Sequence, residues 1–133
     1  MKSKFVVFFA GGILMVCGSM FAHHGTGISY DMENSVTLTG TVTEFVWANP
    51  HCYLSFDVKD EKGNPVHWAG EMNSPGVLKQ GGLSRTTFKA GDQITIAVHP
   101  SKGGTSVGVV DSSKPVMANG KVVLAARGNN WKQ

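Results

Sequence analysis

Residues 35–58 read SVTLTGTVTEFVWANPHCYLSFDV, and their alternation decides the fold. From Val36 to Val46 the even positions are mostly apolar or small (Val36, Leu38, Gly40, Val42, Val46). Thr37, Thr39, Thr41 and Thr43 take odd ones. A two-residue period of this kind marks a half-buried strand. Trp47-Ala48-Asn49-Pro50 interrupts it, because Pro50 has no N–H to give a ladder and holds Asn49 in extended or turn geometry. A second strand starts at His51. Cys52, Leu54, Phe56 and Val58 point inward, and His51, Tyr53, Ser55 and Asp57 face out.

Working outward, Lys59-Asp60-Glu61-Lys62-Gly63-Asn64-Pro65 is a charged hairpin loop, with Gly63 supplying the positive φ that such turns require. The third strand covers Val66 to Glu71. A hairpin centred near Glu61-Lys62 sets Tyr53 against Glu71, His51 against Asn73, and His67 near Asp57. His51 and His67 are then on the order of 16 Å apart and cannot share a metal ion. Ser74 reads as a helix N-cap, followed by Pro75 at the first helical position and Gly81-Gly82 at the exit. Leu83 to Phe88 reads as an irregular connector, and Gly91-Asp92 turns into a fourth strand with Ile94, Ile96 and Val98 inward and His99-Pro100 at its end. A fifth strand is expected over Thr105 to Val110, then a hairpin within Val116 to Ala125 and a loose tail.

Five strands with one short helix between the third and fourth predict a mostly β fold, a small OB-like β-barrel. The chain has 133 residues, 41% of them hydrophobic, which allows one domain, and its 17 glycines and short β-branched runs agree with a β class. A basic start (Lys2, Lys4), an apolar run from Phe5 to Val16 and small residues up to Ala22 predict a signal peptide over 1–22, with a cut after Gly18 as the competing site. That leaves residues 23–133 as the domain, periplasmic or secreted, with no stable membrane span after cleavage. Losing Lys2 and Lys4 leaves ten Lys and Arg against nine Asp and Glu, which reads as excluding nucleic acid as a partner. Cys17 leaves with the leader, so Cys52 has no disulfide partner.

Two places carry candidate chemistry. After cleavage at Ala22, the free amine and imidazole of His23 can chelate one metal ion, with His24 or His51 as a further ligand for copper or zinc. The other is the outward cluster Trp47, Asn49, His51, Tyr53 and Glu71, joined by Asn73, which can bind a small ligand. The same cluster also reads as a hydrogen-bonded corner with Trp47 capping the core. Cys52 and Trp68 have core parity, His67 and His99 read as exposed strand ends, and Met32, Met72 and Met117 as scattered. No nucleophile triad, phosphate loop or metalloprotease motif is present, so the chain reads as a non-enzymatic binding module for a small ligand or a periplasmic protein.

Ala22-His23-His24, Tyr30-Asp31, Leu38-Thr39-Gly40-Thr41-Val42, Trp47-Ala48-Asn49-Pro50-His51, Trp68 and the Ser74-Pro75 helix start together resemble a family of small secreted bacterial proteins, domain of unknown function 6152. The resemblance spans residues 22 to 125 and implies an exported β-domain with no assigned chemistry. Gly25, where the family tends to have Ser, and Cys52 depart from its pattern.

Overall fold

The computed structural model describes residues 29–127. Its strands are β1 (Val36–Val46), β2 (Tyr53–Lys59), β3 (Pro65–Glu71), β4 (Gln93–Pro100), β5 (Val107–Val110), β6 (Val116–Ala118) and β7 (Lys121–Leu124), with helix α1 (Pro75–Gln80) between β3 and β4. β1 is long because it serves two partners. Its first half pairs antiparallel with β4, from Val36↔Val98 to Thr41↔Gln93, and its second half pairs with β2, from Thr41↔Asp57 to Val46↔Tyr53. Antiparallel β2–β3, parallel β3–β5 and antiparallel β4–β5 pairing close the ring in the order β1-β2-β3-β5-β4-β1. This is the expected OB-like five-stranded barrel. The β6–β7 hairpin extends from β4 outside it, turning on Asn119 (φ 50°) and Gly120 (φ 77°).

Periodicity predicts the interior well on β2 and β4. Cys52, Leu54, Phe56, Ile94, Ile96 and Val98 are all at most 1% exposed. In β1 the parity changes halfway. Val42 pairs with Phe56 but Glu44 pairs with Ser55, so Thr43 is the extra residue of a β-bulge. A one-residue slip exchanges the faces. Val46 therefore lies 37% exposed on the outer surface, opposite Tyr53, while Phe45 and Trp47 turn in against the core. Their rings meet edge-on at 5.7 Å, and Phe45 meets Phe88 at 5.0 Å. Of the two readings of Trp47, a ligand-facing residue of the outer cluster and a cap on the core, the packing supports the second.

α1 and the segment after it pack into the same core as the strands. Ser74 is the N-cap with Pro75 at the start of the helix, but the cap lacks a side-chain hydrogen bond. Leu78, Leu83 and Phe88 are buried, so the expected irregular connector contributes two core residues. Among the described residues no helix is long and apolar enough to cross a membrane.

Candidate ligand-binding site

The site grows from the register of four strands. Tyr53 on β2 pairs with Glu71 on β3, Glu71 with Val109 on β5, and Val109 with His99 on β4. These residues form one row across the outside of the barrel. Two strand spacings, about 10 Å, separate the Glu71 and His99 backbones. Past the strand ends the β2–β3 pairing continues through a bulge, where Met72 N–H donates to Cys52 O (2.8 Å) and Cys52 N–H to Asn73 O (3.2 Å), so that Met72 and Asn73 together oppose Cys52. His51 is thereby placed diagonally beside Glu71, a spacing that long side chains bridge. Its Nδ1 lies 2.5 Å from Glu71 Oε1.

The chain before β1 folds back over this row. Tyr30 forms a β-bridge with Ser101, Asp31 N–H donates to Pro100 O (2.9 Å), and Lys102 N–H donates to Ser29 O (3.0 Å). These bonds bring the Tyr30 hydroxyl within 3.2 Å of Glu71 Oε2, so one carboxylate holds both Tyr30 and His51. Asp31 Oδ1 then accepts from Glu33 and Asn34 N–H, turning the strap so that Asn34 O meets His99 Nδ1 at 2.8 Å. A carbonyl only accepts, so His99 Nδ1 carries the proton there. His99 Nε2 lies 3.7 Å from Asp111 Oδ1. Asp111, 7% exposed, also accepts from Ser113 N–H (3.0 Å) and Ser113 Oγ–H (2.6 Å).

Both His–carboxylate pairs line one cavity of about 600 Å³. Met72, Leu78, Val109, Val110 and Leu124 give it apolar wall, and Asn73, Lys114 and Arg127 add polar groups. An apolar cavity with a few converging polar groups is the usual form of a small-molecule site.

Burial, and then the nearby Glu71 charge, push the phenols of Tyr30 and Tyr53 above the usual tyrosine value; at Tyr30 the hydrogen bond to Glu71 adds to this. These are the chain's two tyrosines, so absorbance titration reads them without interference. In Glu71→Gln the phenolate transition is expected to move down in pH without reaching the ordinary value, because the burial remains. An unchanged titration would show that Glu71 does not hold Tyr30.

Of the predicted cluster, His51 and Glu71 are in contact, and Asn73 lines the same cavity. Tyr53 is 39% exposed beside Glu71 in the row, outside the cavity lining. Asn49 is exposed in the bend before Pro50, also apart from that lining, and Trp47 belongs to the core. His67 pairs with Asp57 at 2.8 Å at the opposite end of the hairpin, as the register predicts. His99 is corrected from an exposed strand end to a partly buried residue held under the strap, its side chain 15% exposed. Outward parity was read properly there, but the covering residues come from 65 positions earlier in the chain. Tyr30, Met32 and Asp111 are the site residues that periodicity does not reveal. An Asp-Ser-Ser turn signal marks Asp111, and nothing local marks Tyr30. His23 and His24 lie outside the described residues. Among the described residues no three His, Cys, Asp or Glu side chains form a metal-holding group.

Fold and site together define a small OB-like barrel carrying a strap-covered, His- and carboxylate-lined cavity on its outer face. The chain belongs to the Family of unknown function (DUF6152), whose model matches residues 12–113. No curated protein matches it. Among solved structures it is similar to Rim1, a mitochondrial single-stranded DNA binding protein of S. cerevisiae, at 13% identity and a TM-score of 0.42, over 64% of this chain and 92% of that one. The exclusion of nucleic acid drawn from net charge is withdrawn. Net charge is the wrong criterion, since single-strand binders rely on a local groove and aromatic stacking rather than on the charge of the whole chain.

Proposed function

We propose that this protein is an exported, non-enzymatic binding module that takes a small ligand in the cavity between His51–Glu71 and His99–Asp111. The observation that carries the reading is that both imidazoles are oriented through Nδ1 by an oxygen, Glu71 Oε1 at 2.5 Å and Asn34 O at 2.8 Å, on the lining of a single cavity. An imidazole fixed at one nitrogen presents the other in a defined direction, which is how a site gains directional polar contacts over an apolar floor. Export rests on the basic start, the apolar run from Phe5 to Val16 and the small residues before Ala22. A cleaved amino terminus, read by mass spectrometry of the secreted chain, tests that part.

The cavity is tested by NMR titration with a set of small aromatic and aliphatic acids and amines. Amide shifts are expected to cluster at Glu71, Met72, Val109, His99 and Asp111, and to be lost in His51→Ala/His99→Ala. Shifts confined to another face, or no shifts from any member, overturn the reading.

A second reading, copper or zinc held by His23, His24 and His51, is favoured by the Glu71 contact, since a carboxylate on one nitrogen is a usual outer partner that orients a metal-ligating histidine. The chain beginning at His23 is then expected to bind Cu(II) more tightly than one extended by a residue ahead of it. Equal, weak binding by both rejects amine chelation.

A further inference from the structure

The charged groups in the cavity lining are unevenly satisfied. Its two carboxylates are engaged within the protein, Glu71 by His51 and Tyr30, and Asp111 by Ser113 and His99. Its two cations are not. Lys114 Nζ donates to Ser35 Oγ (2.9 Å) and Arg127 Nη2 to Val77 O (3.4 Å), both neutral acceptors. Among the described residues neither cation pairs with a carboxylate. An ammonium has three donors and a guanidinium five, so each keeps donors for an incoming group. The backbone starts both side chains from one exposed rim of the cavity: Lys114 N–H donates to Asp111 O (3.2 Å) to close a turn, and Arg127 N–H donates to Ser112 O (2.7 Å) within that turn. The buried part of the same lining is apolar. Leu78 is 2% exposed and Met72 4%, and Leu124 lies against the exit of α1, where a β-carbon on Gly81 would meet its Cδ1 at 2.7 Å.

Resting on the cavity reading above, we propose that the ligand is an amphipathic organic acid, its carboxylate held at the rim by Arg127 and Lys114 and its apolar body lying over Met72, Leu78 and Leu124. A guanidinium fork matches a carboxylate in shape, and bonds between charged partners are about twice as strong as neutral ones. A neutral molecule of the same shape gains only the apolar floor. An amine does worse, because it brings a third positive charge to a rim whose carboxylates already serve Tyr30, Ser113 and the two histidines. Acid over alcohol over amine is therefore the order of affinity that this lining sets.

The test is NMR titration at neutral pH with octanoate, octanol and octylamine, which share one alkyl chain and differ in the head group. Octanoate is expected to bind at least about tenfold more tightly than octanol, with octylamine weakest. In Lys114→Gln/Arg127→Gln the octanoate affinity should fall to that of octanol, while octanol itself binds as before. Both replaced side chains are exposed and their backbone bonds remain, and amide spectra establish that the variant is folded. Lys59→Gln/Lys62→Gln removes the same charge at the far end of the β2–β3 hairpin and should leave octanoate binding unchanged. Equal binding of octanoate and octanol, a preference for octylamine, or an octanoate preference that survives Lys114→Gln/Arg127→Gln overturns the acid assignment alone, since shifts at Met72 and Val109 still report an occupied cavity. Silence to all three probes removes the cavity reading as well.

Discussion

Phe56→Ala is expected to destabilise the barrel by about 3–5 kcal/mol, the usual cost of emptying a large buried aromatic site. Phe56 is the largest of the fully buried side chains and stands in β2 between Val42 on β1 and Trp68 on β3. Glycines make room for its ring on both sides. A β-carbon on Gly40 would come within 3.1 Å of Phe56 Cδ2, and one on Gly70 would lie 3.7 Å from Phe56 Cε1. The ring therefore occupies space that both neighbouring strands leave open. Gly40→Ala is expected to cost about 1–3 kcal/mol by overpacking. In the Phe56→Ala background part of that cost should disappear, because one clash has gone. It cannot vanish, since the same β-carbon would stand 2.5 Å from the Asp57 carbonyl oxygen, which is backbone. Urea denaturation of the two single variants and the double variant measures the coupling. Strict additivity would show that Gly40 is required by the strand crossing alone and not by the ring.

Elements and register were legible wherever a strand obeys one period from end to end. β2 does so, β4 departs from it only at Ala97, which is 4% exposed on the outward parity, and the β2–β3 pairing of Tyr53 with Glu71 follows from loop length alone. β1 breaks its period at Thr43, where no Gly or Pro announces the bulge, so Val46 and Trp47 change faces without a local signal. Leu83 and Phe88 show a related limit. They sit in irregular backbone, where burial has no period to read. Half of the candidate site was legible for the same reason: His51 and Glu71 are related through one hairpin, and parity puts both on its outer face. The other half depends on contacts distant in sequence, Tyr30 with Glu71 and Asn34 with His99, which form because residues 29–31 bond to the backbone of Pro100 to Lys102. No pattern within the strap specifies that docking.

Asp111→Ala is expected to cost about 2–3 kcal/mol at neutral pH, in the range for hydrogen bonds to a charged acceptor whose donors are left unpaired. The carboxylate is almost wholly buried, and burial alone would push its pKa up. The Ser113 hydroxyl and amide, Ser35 and then His99 outweigh burial and hold it below the ordinary Asp value. A depressed folded-state pKa stabilises the native protein at pH above the unfolded value of about 3.9, and that stabilisation is lost as pH falls through the depressed folded value. The stability gap between the parent protein and Asp111→Ala should thus be constant from neutral pH down to about 5 and shrink below about 4. Taking the difference between two chains cancels most other titrating groups. Asp111→Asn keeps an acceptor oxygen but no charge, so it should cost less at neutral pH. Chemical denaturation at a series of pH values distinguishes these cases. A gap that stays constant far into acid would mean that shape, not charge, holds this corner. Asp111 belongs to the cavity as well as to the fold: without it His99 keeps only the Asn34 carbonyl, and the strap over the cavity loses one of its fixed points. In Asp111→Ala, the amide shifts that small acids and amines cause at His99 and Val109 should therefore weaken at neutral pH, and a variant that binds normally while being less stable would separate the corner's structural role from the site.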